Sequence, residues 1–472
     1  MNLELFGIGA YVVGMIAMAF YFSKKIKTDD DYYLGGRSLG PGLATFSIFA
    51  TWFGAETCIG TSGAVYRNGL SSVHADPVGY TACLFIMAIF FAKVLWRKKI
   101  TTIPDLFRKR YSPQAEKLAA LIMIPSSIIW AAAQVRALGQ IISATTDFGP
   151  LTAVTIGASV VIIYTMYGGM LADAYADLIQ GLAVIIGLVI LMVVVVVDLG
   201  GVSAALSIIP QEKLTLTSVE DGGLSFLGKL ELWLVPIMGS VISQELVGRV
   251  VASRSEKVAS SSAYRAATIY FLIGLIPVFI GLFGHHYFPN LKDSETLMPL
   301  LAKTHLHYFF YIIFVGALVS AILSTVDTTL LASSALLSHN LIYSSFPKIK
   351  EENKIKIARF CTLLAGIFSY AIAYSSESIT DLVETSAVLG GPTILVLTVA
   401  ALWDKRGNAF SALFAMFMSI AAWVTAHYFM DLDYPVIFTV SVCALSYVGS
   451  LLFVPRTEEV GAQKAEVEMK LG

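Results

Sequence analysis

Phe46-Ser-Ile-Phe-Ala50-Thr-Trp52-Phe53-Gly54-Ala55-Glu56-Thr57-Cys58-Ile-Gly60-Thr61-Ser62-Gly63 places three glycines, a carboxylate and several hydroxyls inside a run otherwise apolar enough to cross a bilayer. A centred charge in hydrocarbon costs roughly 2.5–3.5 kcal/mol on insertion scales. Irregular backbone at that depth is tolerated only where it is buried in protein or lines a cavity. The stretch therefore predicts an interrupted helix. Unwound carbonyls would be free to coordinate an ion, and the second half-helix would aim its N-terminus at a solute. Glycine alone could serve close helix packing; Glu56 favours the break, although its carboxylate could also act as a structural cap.

A second interruption lies five helices later, where Pro236, Gly239, Ser240, Ser243, Gln244, Glu245 and Gly248 fall in one apolar segment. Paired interruptions in corresponding segments point to inverted repeats with a site at the bilayer midplane.

The rest of the chain fits a polytopic membrane protein. Of its 472 residues, 56% are hydrophobic and 14% charged, against about 25% charged in soluble domains; mean hydropathy is +0.74. Thirteen segments of about the ~20 residues a crossing requires are expected, at 4–23, 41–66, 75–96, 117–145, 150–168, 176–199, 226–248, 264–288, 307–335, 357–375, 379–403, 408–429 and 434–454. They are segments 1 to 13 below. Lys and Arg collect after segments 1, 3, 7, 9 and 11, with Arg249, Arg254 and Lys257 counted after segment 7. By the positive-inside bias these exits are cytoplasmic, so the N-terminus is outside and the C-terminus inside. One transporter domain over 1–454 is expected, with core repeats at about 41–199 and 226–403 and a short charged tail at 455–472. The first run lacks a basic flank and a small-residue cleavage site, so it reads as a retained helix.

Several function classes are disfavoured. No Gly-x-x-x-x-Gly-Lys-Ser/Thr motif supports ATP-driven pumping, and no basic tract points to nucleic acid. Cys58, Cys83, Cys361 and Cys443 are scattered through apolar runs, without disulfide or metal spacing. No nucleophile–base–metal constellation suggests an enzyme. His285 and His286 read as an interfacial pair. No cofactor is expected, and an oligomer is not required.

Segment 9 carries Ala317-Leu-Val-Ser-Ala-Ile-Leu-Ser-Thr-Val-Asp327-Thr-Thr-Leu-Leu-Ala-Ser-Ser334, an aspartate and seven hydroxyls with no basic residue. Oxygens of this kind are the ligands a hard cation requires. Intramembrane Asp also carries protons, so both roles stay open for Asp327. At the start of segment 6, Asp173 and Asp177 share one helical face. They are either a solvated helix end or carboxylates on the ion's path. In segment 4, Trp130 and Gln134 share a face and could line a pocket, within reach of His74 and Asp76 from segment 3.

Asp31-Tyr-Tyr-Leu-Gly-Gly-Arg-Ser-Leu-Gly-Pro41, Ala55-Glu-Thr-Cys-Ile-Gly-Thr-Ser-Gly63, Tyr167-Gly-Gly with Tyr175-x-Asp177-x-Ile-Gln180, and Ser320-Ala-Ile-Leu-Ser-Thr325 resemble the sodium:solute symporter family, over residues 5 to 454. The resemblance implies a LeuT-like five-plus-five inverted repeat with segments 2–11 as its core. It implies a main Na⁺ site from the Ala50, Phe53 and Ala321 carbonyls and the Ser324 and Thr325 hydroxyls. It places a second cation or proton site at Asp327, Thr328 and Asp177, one turn along from Ser324. Substrate contacts are implied at Trp52, Glu56, Thr57, His74, Asp76, Trp130, Gln134 and Gln244. Choline-carrying members cage their ligand with aromatics. Trp52 and Trp130 fit two cage positions, and Ser243 stands where those members place a tryptophan. The expected activity is Na⁺-coupled import of a small polar organic solute such as an amino acid or amine, across a cell membrane. The alternative is proton coupling through Asp327 and Asp177.

Overall fold

The computed structural model describes residues 3–145, 148–216, 224–376, 379–430 and 432–453; the tail expected at 455–472 lies outside them. Among the described residues the chain is helical, and its only β contact is an isolated bridge between Leu39 and Ser253. Among the described residues, eight helical runs are long and apolar enough to cross a membrane. A ninth forms if the bent pair Phe226–Ser240 and Gln244–Ala252 is one span. Two shorter apolar helices, Val13–Ser23 and Pro435–Ser450, join them.

Two of the runs are too long for a single crossing. Glu56–Arg97 has 42 residues and Leu151–Asp198 has 48. At 1.5 Å per residue they measure ~63 and ~72 Å, about twice a ~30 Å hydrocarbon core. Each is interrupted where its sequence changes character. In the second, Gly169 takes φ +61°, a left-handed value that glycine alone adopts without penalty, and this divides segment 5 from segment 6. In the first, the helix tightens over Gly69–His74 and widens to a π-turn over Ala75–Gly79. Irregular turns of this kind inside helices mark strain or function.

The two interruptions expected in segments 2 and 7 are both present. The helix Pro41–Trp52 starts on a proline at its first position and stops at Phe53; regular turns resume with the π-turn Glu56–Gly60. In segment 7, Ser225 caps Phe226–Ser240 and Ser243 caps Gln244–Ala252, with 47° between the halves. Each capping hydroxyl accepts a backbone N–H that has no partner within its own helix.

The helix Tyr308–Ala335 lies at the centre. Every residue from Ala317 to Ala335 is buried, and the helix packs chiefly on Pro150–Asp198 and Pro113–Thr145. Some of its hydroxyls bond within the helix: Thr329 donates to the Thr325 carbonyl, and Ser333 donates to the Thr329 carbonyl at 2.9 Å. That satisfies them in an apolar setting. Ser324, Thr325, Asp327 and Thr328 engage other groups.

Candidate functional site

The break in segment 2 organises the site. Gly54 N–H donates to the Trp52 carbonyl at 3.0 Å, and Ala55 N–H donates to Gln134 Oε1 at 3.1 Å. The Ala50 and Thr51 carbonyls thereby lose the donors a continuous helix would supply. Into this gap segment 9 brings Thr325, whose Oγ1 stands 3.4 Å from the Ala50 carbonyl and 3.3 Å from the Ala321 carbonyl. The approach depends on Gly54: a Cβ there would lie 2.7 Å from Thr325 Oγ1 and 2.8 Å from Gln134 Oε1. Ala50, Ala321 and Thr325, expected together from sequence, thus present converging oxygens. Ser324 donates instead to Asp177 Oδ1. Phe53 is buried, its ring 4.9 Å from Phe49 and 5.5 Å from Tyr270.

Beside this gap lies a cluster of charge. Asp173, Asp177 and Asp327 are all buried, with carboxylate oxygens within 4.8 Å of one another. Ser47 donates to Asp177 Oδ2 at 2.5 Å, and Thr328 N–H donates to Asp327 Oδ1 at 2.8 Å. Arg249 enters from segment 7. It pairs with Asp173, donates to Thr328 Oγ1 and lies 3.9 Å from Asp177. Counted from sequence among the basic residues following segment 7, Arg249 is instead 1% exposed. One guanidinium against three carboxylates leaves two formal negative charges uncompensated, and an unpaired buried ion costs several kcal/mol. Further positive charge, as a cation or as protons, is therefore required here. Asp327 Oδ2 and Asp173 Oδ1 lack a hydrogen-bond partner among the described residues.

On the other side of the break is a cavity with about 450 Å³ of empty space, its open mouth included. Trp52 and Trp130 line it in edge-to-face contact with each other, 4.9 Å between ring centres, with Tyr80 6.3 Å from Trp52. Two carboxylates line it. Glu56 accepts from the Tyr80 hydroxyl at 3.1 Å, and Glu245 Oε1 accepts from Ser127 at 2.5 Å. Serines 126, 240, 243 and 386 complete the polar lining.

Of the expected substrate contacts, Trp52, Glu56 and Trp130 line this cavity; the other five do not. Thr57 and Asp76 bond to each other at 2.6 Å, and Tyr270 donates to Asp76 Oδ1 at 3.0 Å. Gln134 is spent on the Ala55 N–H. Gln244 accepts from Ile103 N–H at 3.0 Å and donates to the Thr101 carbonyl at 3.2 Å. His74 Nδ1 sits 2.9 Å from the Ser71 carbonyl. Tyr80 and Ser127 went unread because the carboxylates they serve lie 24 and 118 positions away. Arg249 carried a signal: it stands inside Leu246-Val-Gly-Arg-Val-Val-Ala252, an apolar stretch rather than a loop.

The chain matches the model of the sodium:solute symporter family over residues 32–419. It is 26% identical over 438 residues to a sodium/proline symporter of Salmonella typhimurium, an alignment covering 88% of this chain and 86% of that one. It is 27% identical over 412 residues to high affinity choline transporter 1 of Mus musculus, covering 82% and 70%. Its fold is similar to that of a Na⁺-coupled sialic acid symporter in a substrate-bound outward-open state: TM-score 0.83 over 97% of this chain and 98% of that one, at 20% identity.

Proposed function

The chain belongs to the sodium:solute symporter family, a multi-pass membrane transporter, and from that premise we propose that it couples Na⁺ entry to import of a small polar organic solute. The observation that carries this is the opened backbone at Ala50, facing the Thr325 hydroxyl. Carbonyl and hydroxyl oxygens are hard ligands suited to Na⁺. Ala50, Phe53, Ala321, Ser324 and Thr325 form the main site in this reading, with Ser324 released from Asp177 when the ion arrives. Five-plus-five inverted repeats, thirteen crossings and an external N-terminus complete it. Alternating access then rocks one repeat bundle about the midplane.

The geometry also supplies a reason for coupling. Gly54 touches Thr325 on the ion side, while Trp52 and Glu56, two residues away in either direction, face the cavity. An ion that fixes the break fixes the cavity wall. Each Na⁺ entering at 100 mV contributes roughly 2.3 kcal/mol, enough for about fifty-fold accumulation of a neutral solute.

The excess charge around Asp173, Asp177 and Asp327 favours a second reading at that cluster. There, Asp327, Thr328 and Asp177 hold a further cation or a proton, and coupling through protons alone is its limiting form. Uptake into proteoliposomes separates the two readings. Under Na⁺ coupling, uptake collapses when K⁺ replaces Na⁺ at constant pH. Ser324→Ala with Thr325→Ala should then raise the Na⁺ concentration for half-maximal uptake by about tenfold, the loss of two weak ligands at ~0.7 kcal/mol each. An unaltered Na⁺ dependence in that variant overturns the main-site assignment.

A further inference from the structure

The charge balance of the cavity decides what kind of solute it accepts. Two carboxylates face it, Glu56 from the broken segment 2 and Glu245 from the broken segment 7, and among the described residues no Lys, Arg or His lines it. Glu56 is held by the Tyr80 hydroxyl and Glu245 by the Ser127 hydroxyl; neither forms an ion pair among the described residues. Arg249, one helical turn beyond Glu245, pairs with Asp173, donates to Thr328 and does not line the cavity. A carboxylate-bearing solute would find hydroxyl donors here but no cation, and Glu56 and Glu245, with no counter-charge of their own, could ionise beside it only at a cost of several kcal/mol. A cation finds the opposite. The faces and edges of Trp52, Trp130 and Tyr80 bound one side of the space, and an ammonium over such a ring gains about 0.5–2 kcal/mol.

Resting on the symport reading above, we infer that the solute is a small organic cation, an amine or quaternary ammonium, carrying no carboxylate. Glu56 and Glu245 are its counter-charges, and the tryptophan pair is its apolar wall.

Matched pairs test this. 1,4-Diaminobutane and ornithine differ by a carboxylate, as do choline and glycine betaine. Stabilisation of the purified full-length protein against heat, titrated with each in Na⁺ buffer, reports affinity through mass action. At least one carboxylate-free member should stabilise the protein at concentrations about tenfold or more below its mate. Glu56→Gln and Glu245→Gln should each weaken that binding by about tenfold, the loss of one charge-assisted contact. Stabilisation of the same variants by Na⁺ alone reports whether they are folded. Tighter binding of the carboxylated member in both pairs overturns the inference. So does unchanged affinity in both folded variants, and so does failure of all four probes. The symport reading fails separately: cation uptake indifferent to Na⁺ leaves the charge assignment standing and removes the coupling, whereas Na⁺-driven uptake of a neutral or acidic solute does the reverse.

Discussion

Arg249 shows how one residue can be visible in a sequence and still be misplaced. Basic residues near the ends of apolar segments mark cytoplasmic loops, so it joined Arg254 and Lys257 in that count. The structure sets it in a helix whose nine residues, Gln244–Ala252, are all buried. Its charge is tolerated because Asp173 pairs with it and Asp177 is 3.9 Å away. Asp327 was conspicuous for its setting, a buried carboxylate that needs a counter-charge, and the cation nearest its cluster is Arg249, which bonds its neighbour Thr328 from 79 positions away. Arg249→Met should destabilise the fold by about 3–5 kcal/mol, because removing one member of a buried pair strands the other. Combining it with Asp173→Asn should recover part of that loss. Melting temperatures of the two variants check the claim. A double variant no more stable than the single one would mean that Asp173 is not the residue Arg249 neutralises.

Elements were legible where composition broke a pattern. The interruptions in segments 2 and 7 announced themselves through glycine, proline and carboxylates in apolar runs, and the capping serines Ser225 and Ser243 lie where the half-helices begin. Contacts between short helices were not legible, since nothing local records them. The helix Ile103–Arg110, in the basic loop between segments 3 and 4, is the clearest case. Asp105 receives the Thr101 and Thr102 N–H groups at 2.8 and 3.1 Å, Asn340 Nδ2 at 2.9 Å, and His339 Nε2 at 3.2 Å. It thereby ties the loop to the continuation of segment 9. Burial pushes the Asp105 carboxyl up, but His339 and the two backbone donors outweigh it and hold the pKa down to about 2. A carboxyl depressed from ~4 in the unfolded chain contributes about 2 kcal/mol above that value, and loses it as pH falls from 4 through 2. Asp105→Asn should therefore lower stability by about that amount throughout pH 5 to 8, and the gap to the parent protein should close as acid is added. Chemical unfolding at a series of pH values measures it. A gap that widens toward low pH would contradict the assignment.

At the scale of the whole molecule, the helical membrane fold was legible from apolar run lengths, and the distribution of charge inside it was not. That distribution bears on stoichiometry. Arg249 already occupies Thr328 Oγ1 and one oxygen of Asp173, and Ser47 and Ser324 donate to Asp177. Of the cluster's carboxylate oxygens, Asp327 Oδ2 and Asp173 Oδ1 have no donor among the described residues, short of the six or so contacts a hard ion takes. Protons, which need one oxygen each, neutralise the surplus carboxylates with less rearrangement. Under the proposed coupling, with protons retained through the cycle, one Na⁺ would move per solute, bound at the segment 2 break. A singly charged organic cation, the proposed solute, would then add its own charge to the current, so each transport event would carry two charges rather than one. Both would ride the membrane potential at roughly 2.3 kcal/mol per 100 mV, and a cationic solute would reach a steep gradient without a second sodium ion. Simultaneous measurement of current and tracer uptake should return about two charges per monovalent cation, and a first-order dependence on Na⁺, the arithmetic of one ion at ~2.3 kcal/mol per 100 mV beside one charged solute. A ratio of about three with sigmoidal Na⁺ dependence would instead place a second Na⁺ at Asp327, with Arg249 displaced to admit it.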